Sequence, residues 1–257
     1  MAKRIVSYSL FGSSPLYLDG ALRNARLVPR IYEGWIARIY ASQEIPDTLV
    51  GQFERAGAEV IRQHRLGPFD GTFWRFLPTA EEGIDAVVVR DVDSRPTPRE
   101  FAAVSEWIAS GKTLHIMRDH PFHRVPIMAG MWGCRGQAIQ DMPTLIERWK
   151  LWAHKGQDQD FLRDAIYPRF RDDCLVHSDL YQYRGELCRP FPSPRARGEF
   201  VGAVIDGDRD TLTDVQTEEH EALFTSLTLR QLPRVQTRSK WVLTTKQWFR
   251  SLRRRVA

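Results

Sequence analysis

A chain of 257 residues with 42% hydrophobic and 27% charged residues is long and apolar enough for a sizeable core, which excludes disorder as its dominant state. Its three cysteines, Cys134, Cys174 and Cys188, are odd in number and widely spaced, so neither a disulfide framework nor a thiolate zinc site is expected, and a reducing compartment fits. The net charge of +5 is local: the stretch from Arg234 to Ala257 carries eight Lys/Arg and no acid, so the rest of the chain is mildly acidic and no nucleic-acid partner is expected.

Ile5–Phe11 reads as a first strand rather than a signal peptide, and no window approaches the length of a membrane span. Trp35–Tyr40 reads as the next strand. Pro46-Asp47 opens a helix carrying Leu49, Phe53 and Ala56, and Gly57 ends it. Glu59–Ile61 is a strand, and Ile84–Val89 is a continuous apolar run of the kind a strand covered on both faces shows. Pro98-Arg99-Glu100 opens a helix with Val104, Trp107 and Ile108, stopped by Gly111, and Thr113–Met117 is a further strand. This alternation predicts an α/β fold with a mainly parallel sheet flanked by helices. Beyond it, helices are expected from Pro143 through Trp152, over Phe161–Ile166 and around Glu218–Leu227. A Pro/Arg/Gly-rich loop spans Arg184–Gly198, and a late strand is expected over Glu199–Ile205. One domain over 1–232 and a basic tail over 233–257 is the economical division.

The sharpest chemical signal is Arg90-Asp91-Val92-Asp93-Ser94-Arg95, which follows the buried apolar run. Residues i and i+2 of a strand share a face, and open α/β sheets bind ligands at the carboxyl ends of their strands. Two neighbouring carboxylates repel unless a cation compensates them, so a hard divalent ion, Mn²⁺ or Mg²⁺, with a diphosphate beside it fits Asp91 and Asp93. The bland alternative is ion pairing of both acids with Arg90, Arg95 or Arg99 and capping of the next helix. Arg75, among Phe73, Trp74 and Phe76, is placed to hold a diphosphate or to make a cation–π pair. Tyr8 and Ser9, at the end of the first strand, are positioned for a base or ribose.

With Arg99-Glu100, the His115-Ile116-Met117-Arg118-Asp119-His120-Pro121 segment, Pro126–Gly133 and Gly156–Leu162, the chain resembles GT-A glycosyltransferases. It is most similar to bacterial sugar transferases of polysaccharide and lipooligosaccharide biosynthesis, over roughly residues 3–205. The resemblance implies a GT-A-like domain and a metal-dependent transfer of a hexosyl-type sugar from a nucleoside-diphosphate sugar to a glycan or glycolipid hydroxyl. It implies Asp91 and Asp93 as the D-x-D, Ala129-Gly130 as the small-residue strand of the donor pocket, and Asp158-Gln159 as the pair near the donor sugar. His177 then stands where a late metal-binding histidine is expected, without the Gly/Lys-containing surroundings of that pattern. Asp119, in the loop with His120 and His123, is the general-base candidate beside Asp158. Each position also has a structural reading: a tight contact at Gly130, a helix cap at Asp158, a packed or solvated histidine.

Two other functions compete. A haloacid-dehalogenase-type phosphohydrolase also uses an apolar strand ending in D-x-D, with Asp172-Asp173 as its later acidic pair, but places the motif on its first strand. A non-catalytic sugar-nucleotide-binding or membrane-docked adaptor is the third reading. Over 240–256, a helical projection puts Trp241, Val242, Trp248, Phe249, Leu252 and Val256 on one face and Lys246, Arg250, Arg253 and Arg254 on the other. That pattern predicts an anchor on an anionic membrane surface and a cytoplasmic, peripheral location.

Overall fold

The computed structural model describes residues 2–65, 67, 69–149, 154–207, 209–224 and 230–236. The amphipathic tail face and Trp152 lie outside the described residues. Strands β1 (Lys3–Leu10), β2 (Ile36–Ser42), β3 (Glu59–Gln63), β4 (Ile84–Arg90), β5 (Leu114–Arg118), β6 (Met131–Arg135), β7 (Cys174–Ser178) and β9 (Cys188–Arg189) form one sheet in the order β3-β2-β1-β4-β6-β5-β7-β9. β6 runs antiparallel to its neighbours β4 and β5, and the other pairs are parallel. A parallel pair joins β8 (Tyr181–Tyr183) and β10 (Arg230–Leu232).

Side-chain alternation splits the core in two. Val6, Tyr8 and Leu10 of β1, with Ala86 and Val88 of β4, face one layer. There they meet helices α1 (Pro15–Ile31), α2 (Asp47–Arg55) and, beyond the short turn α3 (Gly71–Trp74), α4 (Pro98–Ser110), through Val28, Phe53, Val104 and Trp107. Val87 and Val89 face the other layer, where Phe73 and Phe76 pack with Met142 and Ile146 of α5 (Met142–Trp149) and with Phe161 of α6 (Gln157–Phe161). The predicted mainly parallel sheet with helices on both faces is the architecture observed. No helix among the described residues is long and apolar enough to cross a membrane.

α1 was absent from the predicted elements, although Ser14-Pro15 opens it and Ala21, Ala25 and Val28 repeat at helical spacing. The expected strand over Glu199–Ile205 is a loop instead. Gly202 sits at φ +91°, which breaks an extended run, and Phe200, Ala203 and Ile205 close a small cluster with Leu212. Ala129-Gly130 form the turn that leads into β6 rather than part of a strand. The helix expected over Phe161–Ile166 is α6 continued by a π-helical turn over Leu162–Ile166, followed by α7 (Tyr167–Phe170). The last described helix is α8 (Asp214–Phe224).

Candidate active site

The loop after β4 carries Asp91 and Asp93, and it is gripped from several directions. Asn24 of α1 donates through Nδ2 to the carbonyls of Val92 (3.0 Å) and Ser94 (2.9 Å). Gly20, one turn earlier, lies so close that a Cβ there would collide with the Val92 carbonyl. The buried Arg90 donates to the Gly130 carbonyl (2.9 Å) and to Ser94 Oγ (3.0 Å), and pairs with the buried Glu100 at 3.1 Å. From the far side, the Ile205 N–H donates to the Asp93 carbonyl at 2.9 Å, while Arg95 donates to the carbonyls of Ile205 (3.1 Å) and Gly207 (3.0 Å). With its backbone bonded to α1 and the 199–207 loop, and the Arg90 side chain bonded to the turn before β6, this segment has a well-supported backbone from which its two carboxylates project.

Asp91 continues the parity of Val87 and Val89 and so stands on the Phe73/Phe76 side of the sheet. There Arg75 bridges two acids: it pairs with Asp91, and its other terminal nitrogen donates to Asp158 Oδ2 at 3.1 Å. The Arg75 backbone N–H donates to Ser9 Oγ at 3.0 Å, and its guanidinium lies 5.7 Å from the Phe76 ring centre. Gly130 completes the wall; a Cβ there would strike the Asp91 carboxylate, so its smallness serves the close approach of Asp91 to the β6 turn. Asp158 opens α6 after Gly156 (φ +78°), and its Oδ1 accepts from the Gln159 N–H at 3.0 Å. Burial raises the Asp158 pKa, with Arg75 opposing and Asp91 adding to the rise.

Asp93 differs from its neighbours. No cation pairs with it among the described residues. Desolvation, reinforced by the Asp91 charge, pushes its carboxyl up to about 6. A carboxylate held partly dry beside another, with Arg75 already shared between Asp91 and Asp158, is short of positive charge. A divalent cation would supply it. Among the described residues no cluster of three His, Cys, Asp or Glu side chains is arranged to hold a metal. Two carboxylates suit a hard ion whose other positions substrate phosphate oxygens and water would fill, as Mg²⁺ and Mn²⁺ accept.

Three expected site residues lie elsewhere. His177 shares the face of Leu175, across the sheet from Asp91, and is fully buried. Its Nδ1 meets His115 Nε2 at 2.8 Å and its Nε2 meets Glu106 Oε2 at 3.2 Å, so both ring nitrogens are engaged inside the fold and no ligand position remains. Tyr8 points into the layer beneath α1 and α4, wholly buried, and cannot reach a base. Asp119 is a structural clamp rather than a free base: it accepts from Arg99 at 2.9 and 3.0 Å and from the Val201 N–H at 2.9 Å.

Of two further residues near the carboxylates, Tyr17 has no role in the sequence reading, whereas His123 belongs to the polar loop noted there. Tyr17, in the first turn of α1, is half-exposed and close enough to Asp91 and Asp93 for their charges to raise its phenol pKa, after desolvation. His123 accepts the Asp119 N–H at Nδ1 (3.2 Å) and feels the Asp91 charge; desolvation, with His120 and Arg90 next, pushes it down to about 3, so it is a neutral imidazole. Ser14-Pro15 is the signal that finds Tyr17, because it opens a helix immediately after β1.

No protein-family model and no curated protein matches the chain. Solved structures with a similar fold include glucosyl-3-phosphoglycerate synthase from Mycobacterium tuberculosis in complex with Mn²⁺, uridine-diphosphate-glucose and glycerol 3-phosphate. It is 14% identical, with 68% of this chain and 69% of that one covered and a TM-score of 0.44. The galactosyltransferase LgtC, in complex with donor and acceptor sugar analogs, is 14% identical over 70% of this chain and 76% of its own, with a TM-score of 0.48. The 4-diphosphocytidyl-2C-methyl-D-erythritol synthase of Anaerococcus prevotii is 12% identical over 68% and 86%, with a TM-score of 0.44.

Proposed function

We propose that the protein is a metal-dependent glycosyltransferase that moves a sugar from a nucleoside-diphosphate sugar to a hydroxyl of a glycan or glycolipid. The observation that carries this reading is the rigid Asp91/Asp93 pair at the strand end, with Arg75 and Asp158 converging on it and Asp93 left without a cation. Asp91 and Asp93 would hold Mn²⁺ or Mg²⁺, which when bound supplies positive charge to the leaving diphosphate. Arg75, beside Asp91, would donate to a phosphate oxygen, a role its planar fork suits. Asp158 and Gln159, at the mouth of α6, accept and donate hydrogen bonds to the hydroxyls of the donor sugar. Ala129 and Gly130 leave the wall beside Asp91 free of bulk.

Thermal-shift screening against a panel of sugar nucleotides with Mn²⁺ tests the reading, because a ligand that binds only the folded state raises apparent stability. Stabilisation by one or more nucleoside-diphosphate sugars, dependent on the metal, is the expected result, followed by release of nucleoside diphosphate on adding acceptor. Release of inorganic phosphate from phosphomonoesters instead would favour the phosphohydrolase. Metal-dependent donor binding without turnover of any acceptor or water would favour the adaptor.

The basic segment over 233–257 is proposed as the membrane contact of a cytoplasmic, peripheral enzyme. Its projected Trp, Phe and Leu face opposes the cations. Full-length protein should sediment with anionic vesicles at low salt and detach at high salt, whereas a chain ending at Leu232 should stay in solution and keep its donor affinity. Equal sedimentation of both would remove this assignment.

A further inference from the structure

A cavity of about 570 Å³ opens on a part of the molecule that the donor site does not use. Its walls come from three separate segments: Tyr167, Arg171 and Asp172 at the end of α7, Arg184 and Gly185 in the turn after β8, and Arg234 just past β10. None of the residues around Asp91 and Asp93 lines it.

The walls are built into the fold. β10 pairs with β8 in parallel, and the Arg184 N–H extends that ladder to the Leu232 carbonyl at 3.1 Å, which fixes Arg184 and the chain leading to Arg234 side by side. Gly185 takes φ +94°, the left-handed conformation that turns the chain back toward β9. At the base, the Tyr167 hydroxyl donates to Glu186 Oε1 at 2.7 Å, and Glu186 is held by Arg118 at 2.7 and 2.8 Å. That buried acid is thereby already compensated and leaves nothing over for the cavity.

The charge count is unbalanced. Three arginines line the cavity with one acidic residue, Asp172, whose carboxylate lies 3.6 Å from Arg171 and is largely exposed. The nearby Asp173 is turned to Lys112 at 3.4 Å. Arg184 and Arg234 have no acidic partner among the described residues. Like charges gathered in a concave wall repel each other and concentrate a positive potential that an anion relieves. Planar guanidinium groups favour phosphate, which they can bind through two parallel N–H donors.

We propose that this cavity is a second ligand site, distinct from the donor site, and that it binds a compact phosphate-bearing anion through Arg171, Arg184 and Arg234. Its ligand is recognised by clustered phosphate charge rather than by a metal. A soluble phosphate ester or diphosphate and the headgroup of a phospholipid carry that same chemistry.

The test is calorimetry on the full chain with EDTA present, which silences metal-dependent binding, using sodium pyrophosphate as the probe and sodium chloride at equal ionic strength as the control. Pyrophosphate should bind with one-to-one stoichiometry. Arg171→Gln/Arg184→Gln should weaken it at least about tenfold, since each lost charge-assisted contact is worth roughly that factor. The cations of the basic tail are present in every variant, so binding that survives Arg171→Gln/Arg184→Gln belongs to them and overturns the site, as does a response matched by chloride. Sedimentation with phosphatidic acid vesicles at a salt concentration that detaches the basic tail from other anionic vesicles, compared between wild type and the same double variant, separates the sources. A loss of vesicle binding marks a lipid headgroup; vesicle binding unaltered alongside lost pyrophosphate binding marks a soluble ligand.

Discussion

Two polar clusters lie on opposite faces of the same sheet, and each looked like chemistry in the sequence. On one face His115, His177 and Glu106 form a closed chain of hydrogen bonds, with His115 stacked 5.3 Å from the Trp107 ring at an interplanar angle of 8°. On the other, Asp91 and Asp158 share one arginine, and Asp93 beside them has no cation partner among the described residues. In the first cluster both ring nitrogens of His177 are taken, and Glu106 is shared with Arg189. The second retains charge that the protein leaves unmatched, at the strand end where ligands enter an α/β sheet. Unmet electrostatic demand beside an opening, rather than the presence of titratable residues, separates a site from a structural network.

Breaking the charged side should cost most. Asp158→Ala removes a group aimed at the donor sugar, and kcat should fall roughly 10²- to 10³-fold with a much smaller change in donor affinity. If Asp158 only caps α6, the loss is about 1 kcal/mol of stability with turnover intact, and kinetics and melting on one variant distinguish the two.

Arg75→Met leaves Asp91 and Asp158 facing each other without their shared counter-ion. Loss of an internal ion-pair partner from this nearly buried side chain should destabilise the protein by about 3 kcal/mol, read by chemical denaturation. Added Mn²⁺ should recover part of that loss in the variant. An Arg75 variant as stable as wild type without metal would break the contrast between the two faces.

His177→Ala sharpens the comparison from the other side. It strands His115 Nε2 inside the fold, leaves Glu106 to its partner Arg189, and should cost about 1–3 kcal/mol of stability. Metal-dependent donor affinity, measured by calorimetry, should not move.

The smallest effect is a pH dependence at the loop after β5. Burial, with His220 next, pushes His120 down to about 4, and its Nε2 lies 3.0 Å from His220 Nδ1 of α8. His123, beside it, is pushed down to about 3. Both rings are neutral in the folded chain, whereas in the unfolded chain they titrate near about 6.5. Their contribution is therefore fully present above about pH 6.5 and is lost as pH falls toward 4, because the unfolded chain takes up protons the folded one excludes. His120→Gln should flatten this limb of the melting temperature against pH.

Much of the fold was legible because burial writes itself into the chain. The continuous apolar run of β4 is nearly sealed in the sheet, and Pro98 and Gly111 bound α4 where expected, with Gly111 at φ +71°. The carboxylate pair was legible for the same reason: two acids ending such a run are conspicuous. The 199–205 segment misled because Phe200, Val201, Ala203 and Ile205 are as apolar as a strand, yet the N–H of Val201 is claimed by the Asp119 side chain and that of Ile205 by the Asp93 carbonyl. His177 misled because a strand alternates faces with every residue, and its place three strands from β4 in the sheet order reveals neither the distance nor the side until the topology is known. Arg75 reads as one basic residue among aromatics; only the folded chain shows it holding two distant acids together.

The central claim is that Asp93 is an unmatched carboxylate awaiting a metal and a diphosphate. Titration calorimetry of a nucleoside-diphosphate sugar into wild type and Asp93→Asn, each with and without Mn²⁺, tests it most directly. Wild type should bind only with Mn²⁺, and the variant, folded and of unchanged melting temperature or higher, should lose that metal-dependent binding. Undiminished metal-dependent affinity in Asp93→Asn would contradict the account.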